Sequence, residues 1–278
     1  MINNLIITQL VENTVGDPGL LAEHGVAFFI EADGHCLLFD TGQGFALAHN
    51  AEQLNILMEA VDAIILSHGH YDHAGGLVDA LEMTGSAELY LHPRALTAKF
   101  NRNGREIGAP VTDEEKLKSI AKRCIYTQGP TEIIPGIYVT GEIPRRHKIE
   151  DTGGPFYQDS DCTNKDALPD DQALYIETPK GLIVLLGCGH SGVINTLEYI
   201  QQISGGKSIY AVMGGMHLLR ASTKRLAFTG DSLERMAVEY LAPNHCTGLD
   251  AVCYFKNRFP DTFHESMTGT KHSFDNNK

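Results

Sequence analysis

Several features are scarce in this chain, and each scarcity narrows what it does. No apolar stretch approaches the roughly 20 residues needed to cross a bilayer, so no helical membrane span is expected. The opening residues Met1-Ile2-Asn3-Asn4-Leu5 carry neither the basic segment nor the long apolar core of a secretory signal. They read as the start of a strand. Positive charge is in short supply, with 22 basic against 35 acidic residues and a formal charge of -13. A field of that sign repels phosphate backbones, which argues against a nucleic-acid surface despite the local run Arg145-Arg146-His147-Lys148. The six cysteines form no CxxC pair, and reduced thiols in cytoplasm are the simpler expectation. Cys188 and Cys246 stand apart, each lying within two residues of a candidate ligand. No repeat or low-complexity tract is present.

What remains is a chain of 278 residues, 42% apolar, with enough material for a substantial core. It is expected to be one domain. Strands are expected over 5–11, 26–30, 36–39, 63–66, 87–91, 133–140, 172–178, 181–187 and 208–213, from short β-rich runs bounded by turn residues. Helices are expected over 45–60, 75–83, 193–203, 230–240 and 249–257, followed by a polar tail. Strands and helices in alternation point to layered α/β packing. The polar stretch 141–171 lacks periodicity, and reads as an insertion that walls the pocket and sets substrate choice.

The densest chemistry is Ser67-His68-Gly69-His70-Tyr71-Asp72-His73-Ala74-Gly75-Gly76, delivered by the apolar run Ile64-Ile65-Leu66. His and Asp donors suit zinc, manganese or iron. His68 and His70 are separated by one residue, so on extended backbone both imidazoles point to the same side. Asp72 and His73 turn into the following helix and reach a neighbouring position. The spacing therefore favours two pairs over one set of four. Each pair needs distant ligands, and His190, His217 and His245 are the candidates, each at a strand or helix end beside small residues.

This run resembles the HxHxDH signature of the metallo-β-lactamase superfamily, and Asp40-Thr41-Gly42 resembles its Asp-Thr/Ser-Gly turn. The order of elements is similar to its four-layer αββα sandwich over essentially the whole chain. Thr140-Gly141-Glu142-Ile143-Pro144-Arg145, Leu186-Gly187-Cys188-Gly189-His190-Ser191-Gly192, Gly214-Gly215-Met216-His217-Leu218 and Pro243-Asn244-His245-Cys246-Thr247-Gly248 resemble one branch. That branch is the 7,8-dihydropterin-6-yl-methyl-4-(β-D-ribofuranosyl)aminobenzene 5'-phosphate synthases. The resemblance implies two divalent metal ions, zinc first and manganese or iron next. His68, His70 and His190 would hold one ion, and Asp72, His73 and His245 the other. The superfamily also brings in a bridging Asp from a Gly-Asp turn, whereas the comparable turns here read Gly-Cys-Gly-His and Gly-Gly-Met-His. His217 is expected either to substitute for that bridge or to contact substrate.

The chemistry so implied is hydrolysis of a small phosphorylated or ester substrate by a metal-activated water, oriented by Asp72. Ser191 and Thr247 are expected to donate hydrogen bonds to the substrate, and Arg145 to fork onto a distal phosphate. The alternative is a transferase that joins a dihydropterin diphosphate to an aminobenzene ribofuranosyl phosphate. A further alternative is a metal-bound small-molecule sensor or binding protein.

Overall fold

The computed structural model describes residues 1–274. Two mixed sheets carry the fold. The first has seven strands in the order Lys271–Ser273, Leu5–Val11, Ala27–Ala32, His35–Phe39, Ala63–Ile65, Glu88–Leu91 and Arg123–Tyr126. The second has six, in the order Tyr240–Asn244, Ile209–Gly215, Gly181–Leu186, Ala173–Thr178, Ile137–Val139 and Thr131–Ile134. Each sheet is antiparallel at one side and parallel at the other.

The strands bury both faces, so they read as continuous apolar runs, and the period-2 alternation sorts each run between two layers. Phe28, Ile30, Leu37, Phe39 and Ile65 meet Leu174, Ile176, Ile183 and Leu185 in the space between the sheets. The intervening residues Ala27, Phe29, Leu38 and Ile64 face the other way, onto Leu47, Leu77 and Leu81 of the first helical layer. On the second sheet Tyr175, Val184 and Leu186 turn outward onto Val193, Ile194, Leu197, Leu233 and Phe255. Three apolar layers separate four structural ones, which is the expected αββα sandwich.

Most expected elements stand where the pattern puts them, and the departures have local causes. The helix expected over 45–60 ends at Gln53, because Asn55 enters the left-handed region at φ 55° and the chain resumes as a short 3-10 turn at Met58–Ala60. The strand expected over 133–140 is a hairpin, Thr131–Ile134 and Ile137–Val139, folded at Gly136 with φ 96°. The helix expected over 230–240 instead spans Thr223–Arg235, with the Ser222 hydroxyl capping it by accepting from the Arg225 amide. Residues Tyr240–Asn244 form an edge strand, a place where Pro243 is tolerated. The helix Glu114–Ile120, the strand Arg123–Tyr126 and the return of the tail as strand Lys271–Ser273 lay outside the sequence reading. Among the described residues no helix is long and apolar enough to cross a membrane.

Candidate metal centre

The parallel strands of both sheets end on one side of the sandwich, and every candidate ligand follows such an end. Ala63–Ile65 leads to His68, Gly181–Leu186 to Cys188 and His190, Ile209–Gly215 to His217, and Tyr240–Asn244 to His245. The carboxyl ends of strands in α/β sheets are where ligand sites form. The loop after Ile65 is pressed close to the framework. A Cβ on Gly69 would collide with the Ala95 carbonyl oxygen, so only glycine separates the two histidines. Its amide donates to Asp170 at 2.9 Å, and Asp170 also accepts from the wholly buried Lys99 at 2.8 Å.

The hydrogen-bond partners around the centre fix which imidazole nitrogens face it. Asp40 accepts from the Ser67 amide at 2.7 Å, the Ser67 hydroxyl at 2.6 Å and His73 Nδ1 at 2.7 Å. An ionised carboxylate only accepts, so His73 carries a proton on Nδ1 and turns Nε2 to the centre. His190 Nδ1 donates to the Thr152 carbonyl at 2.7 Å, and His245 Nδ1 to the Asn13 side-chain oxygen at 3.0 Å. The Ser67 hydroxyl has spent its proton on Asp40, so at 2.9 Å it accepts from His68 Nδ1. Four imidazoles are thus oriented by outer partners with Nε2 turned inward, that of His68 meeting His70 Nδ1 at 2.9 Å, an arrangement typical of metal-binding histidines.

Those inward atoms converge in two groups, Asp72, His73, Cys188 and His245 in one and His68, Cys188 and His190 in the other, with donor atoms in each group within 4.8 Å of one another. His70 sits beside the second group, its ring centroid 4.6 Å from that of His68 and 5.0 Å from that of His190. The Nε2 atoms of His70 and His190 are buried without a hydrogen-bond partner, an arrangement that is costly unless something fills it. Burial drives the pKa of His68 and His190 well down and that of His70 to about 3, so these rings are neutral and ready to donate lone pairs. Burial acts the same way on His73, but Asp72 and Asp40 outweigh it and raise that group. For Asp72, burial is outweighed by His73 and His245, which hold the carboxyl well below its usual range. The donor set fits two divalent cations, and its mixture of imidazole, carboxylate and thiol suits zinc.

Two of the residues in this centre adopt strained backbone. His217 has φ 45° and His245 φ 50°, in the left-handed region that non-glycine residues rarely enter. The centre opens into a cavity of about 800 Å³ whose lining includes His70, Asp72, Cys188, His190, His217 and His245. Phe156, Leu219, Leu249, Val252, Phe263 and Met267 form apolar wall. Among the described residues that line it, Lys256 is the sole lysine or arginine, and it is paired with Glu265 at 2.7 Å.

Residues 21–114 match the family model of the metallo-β-lactamase superfamily. The chain is 30% identical, over 96% of both sequences, to the 7,8-dihydropterin-6-methyl-4-(β-D-ribofuranosyl)-aminobenzene-5'-phosphate synthase of Methanocaldococcus jannaschii. The chain belongs to the metallo-β-lactamase superfamily. A solved metal-dependent hydrolase of the β-lactamase superfamily superposes with a TM-score of 0.84 at 30% identity, covering 98% of this chain and all of the other. Zinc-bound PqqB from Methylobacterium extorquens shares the fold, with a TM-score of 0.57 at 15% identity over 98% of this chain and 100% of that one.

Within this metallo-β-lactamase fold the structure gathers His68, His70, Asp72, His73, His190 and His245 at one centre. His217 lies on the cavity wall, its ring centroid 4.4 Å from that of His190, and outside both donor groups. Arg145, Ser191 and Thr247, expected to touch substrate, have framework contacts and do not line the large cavity. The Arg145 guanidinium donates to the carbonyls of His190 at 2.7 Å, Ala167 at 2.6 Å and Leu168 at 3.3 Å. The Ser191 amide donates to Asp171 at 2.7 Å, and the buried Thr247 hydroxyl accepts from the Met216 amide at 3.1 Å. His24, which the sequence suggests only as a surface histidine or one behind the ligands, places Nε2 3.3 Å from Asp72 and lines the cavity. Glu12, which no sequence signal marks, accepts from the His245 amide at 2.8 Å. Neither carries a motif, because His24 meets Asp72 across 48 residues and Glu12 meets His245 across 233, and contacts so far apart in the chain leave no local signal.

Proposed function

We propose that this protein is a metal-dependent hydrolase of a small ester or phosphoester, its reacting group at the metal centre and an apolar organic body in the cavity. The convergence of inward Nε2 atoms, Asp72 and Cys188 on the floor of that cavity carries the reading. His68, His70 and His190 would hold one cation, Asp72, His73 and His245 the other. Bound divalent cations supply a water nucleophile at neutral pH and polarise the scissile group. The chain's own residues do the rest. Asp40, Thr152 and Asn13 fix the imidazole orientations. Phe156, 5.3 Å from His190 between ring centroids, screens the reacting group from solvent. His217, with its pKa brought down to about 4 by burial, is neutral and placed to hydrogen-bond the substrate. Arg145 acts as a clamp that holds the His190 loop rather than as a phosphate ligand. We further read the chain as one domain in which 141–171 forms part of the pocket wall.

The test is elemental analysis and hydrolysis of aryl ester and aryl phosphodiester substrates, before and after chelation and reloading. Hydrolysis should disappear on chelation and return with metal. Replacing His68 with Ala should lower both metal content and rate. Full metal content with unchanged rate in that variant would remove the proposed site.

The likeness to the Methanocaldococcus jannaschii synthase over 96% of both chains favours a second reading, in which a dihydropterin diphosphate is the donor and pyrophosphate leaves. Among the described residues lining the cavity no unpaired lysine or arginine awaits a distal phosphate, which favours the hydrolase. Pyrophosphate release dependent on both pterin diphosphate and the aminobenzene acceptor would decide for the synthase.

A further inference from the structure

We infer that Cys188 bridges the two metal positions, its thiolate occupying the place between them; this rests on the metal-dependent reading above. Cys188 Sγ is the one donor atom common to both groups, the Asp72, His73 and His245 set and the His68 and His190 set. It lies 3.1 Å from His73 Nε2 and 3.4 Å from His245 Nε2, on a residue only 3% exposed. The strand Gly181–Leu186, central in its sheet, delivers the sulfur to this point.

A second observation points the same way. The inward nitrogens of His73 and His245 crowd the sulfur, His68 Nε2 is met by His70 Nδ1 at 2.9 Å, and the Nε2 atoms of His70 and His190 are buried with no partner. Against them the cysteine offers one S–H, which satisfies one acceptor at most. A buried centre with that excess of lone pairs is built to surround cations. A thiolate has lone pairs enough to serve two of them at once. As the cations bind, the S–H bond breaks, the proton passes to solvent, and the electron pair stays on sulfur; no oxidation is involved. A soft bridge of this kind favours zinc or iron over magnesium or calcium.

The experiment uses the whole chain, stripped under reducing conditions and reloaded with cobalt(II). The expected result is two cobalt ions per chain, one for each donor group, with a thiolate-to-cobalt charge-transfer band in the near ultraviolet. Cys188→Ser should abolish the band and bring stoichiometry toward one ion. Cys188→Asp should keep both ions and lose the band. Cys246→Ser should retain the band, and this variant assigns the sulfur even where Cys188 variants fail to fold. No band in the loaded unmutated protein would overturn the bridge. So would a band lost in Cys246→Ser and kept in Cys188→Ser. A band without hydrolysis of any substrate would uphold the bridge and count only against the hydrolase.

Discussion

At the scale of single residues, the centre is governed by atoms that never touch its contents. Asp40 is wholly buried, follows the strand His35–Phe39, adopts φ 63°, and accepts three hydrogen bonds from Ser67 and His73. Exchange to Asn would put an NH2 group where an acceptor is required, leaving His73 in the wrong tautomer. Asp40→Asn should weaken metal binding about 10–100-fold, the usual cost of losing such an outer partner. Competition with a chromophoric chelator measures this directly, and unchanged affinity would show that His73 keeps its orientation without Asp40. The aspartate was legible because it opens Asp40-Thr41-Gly42, whereas Asn13, which does the same service for the His245 ring, and Glu12, which holds the His245 amide, sit in an unremarkable stretch.

At the scale of elements, the last strand shows what short pieces contribute. Lys271–Ser273 adds to the edge of the first sheet beside Leu5–Val11, and its His272 is buried between the Tyr240 hydroxyl at 2.6 Å and the Ser266 hydroxyl at 3.0 Å. Burial lowers the His272 pKa from 6.5 to about 4. Between those values the unfolded chain binds a proton that the folded chain does not, so stability rises with pH across the window and is lost as pH falls through it. The loss attributable to His272 is on the order of 2 kcal/mol. Denaturant melts of His272→Gln at pH 7 and pH 4.5 should therefore show a shallower acid destabilisation than the unmodified protein. Equal slopes would mean that His272 takes up a proton without leaving its place. This strand escaped sequence reading because three polar-flanked residues carry no periodicity of their own; only pairing with a preceding strand makes them a strand.

At the scale of the whole molecule, the centre lies where two halves of the chain meet, and buried charge helps to join them. Lys99 is wholly buried between Asp166 at 3.3 Å and Asp170 at 2.8 Å, and Asp170 also receives the Gly69 amide of the histidine loop. Lys99→Met leaves two carboxylates without their cation. Removing one partner of such a buried group costs about 3–5 kcal/mol, so the melting temperature should fall markedly, with loss of metal affinity as the histidine loop loosens. A melting temperature within a degree or two of the unmodified protein would show that the two halves hold together without the lysine.

The amino-acid order by itself determined the layered architecture and the nature of the centre. The continuous apolar runs Phe28–Ile30 and Leu182–Leu186 already specify strands buried on both faces, and histidines spaced around Gly69 specify a metal-binding loop, because both signals are written in adjacent residues. Which nitrogen each imidazole turns inward, that Cys188 rather than His217 is shared by the two donor groups, and that Arg145 reaches the carbonyls of the His190 loop and of Ala167, were decided only in three dimensions. Those outcomes depend on contacts between strand ends far apart along the chain, and on which neighbour takes up each polar atom once water is gone.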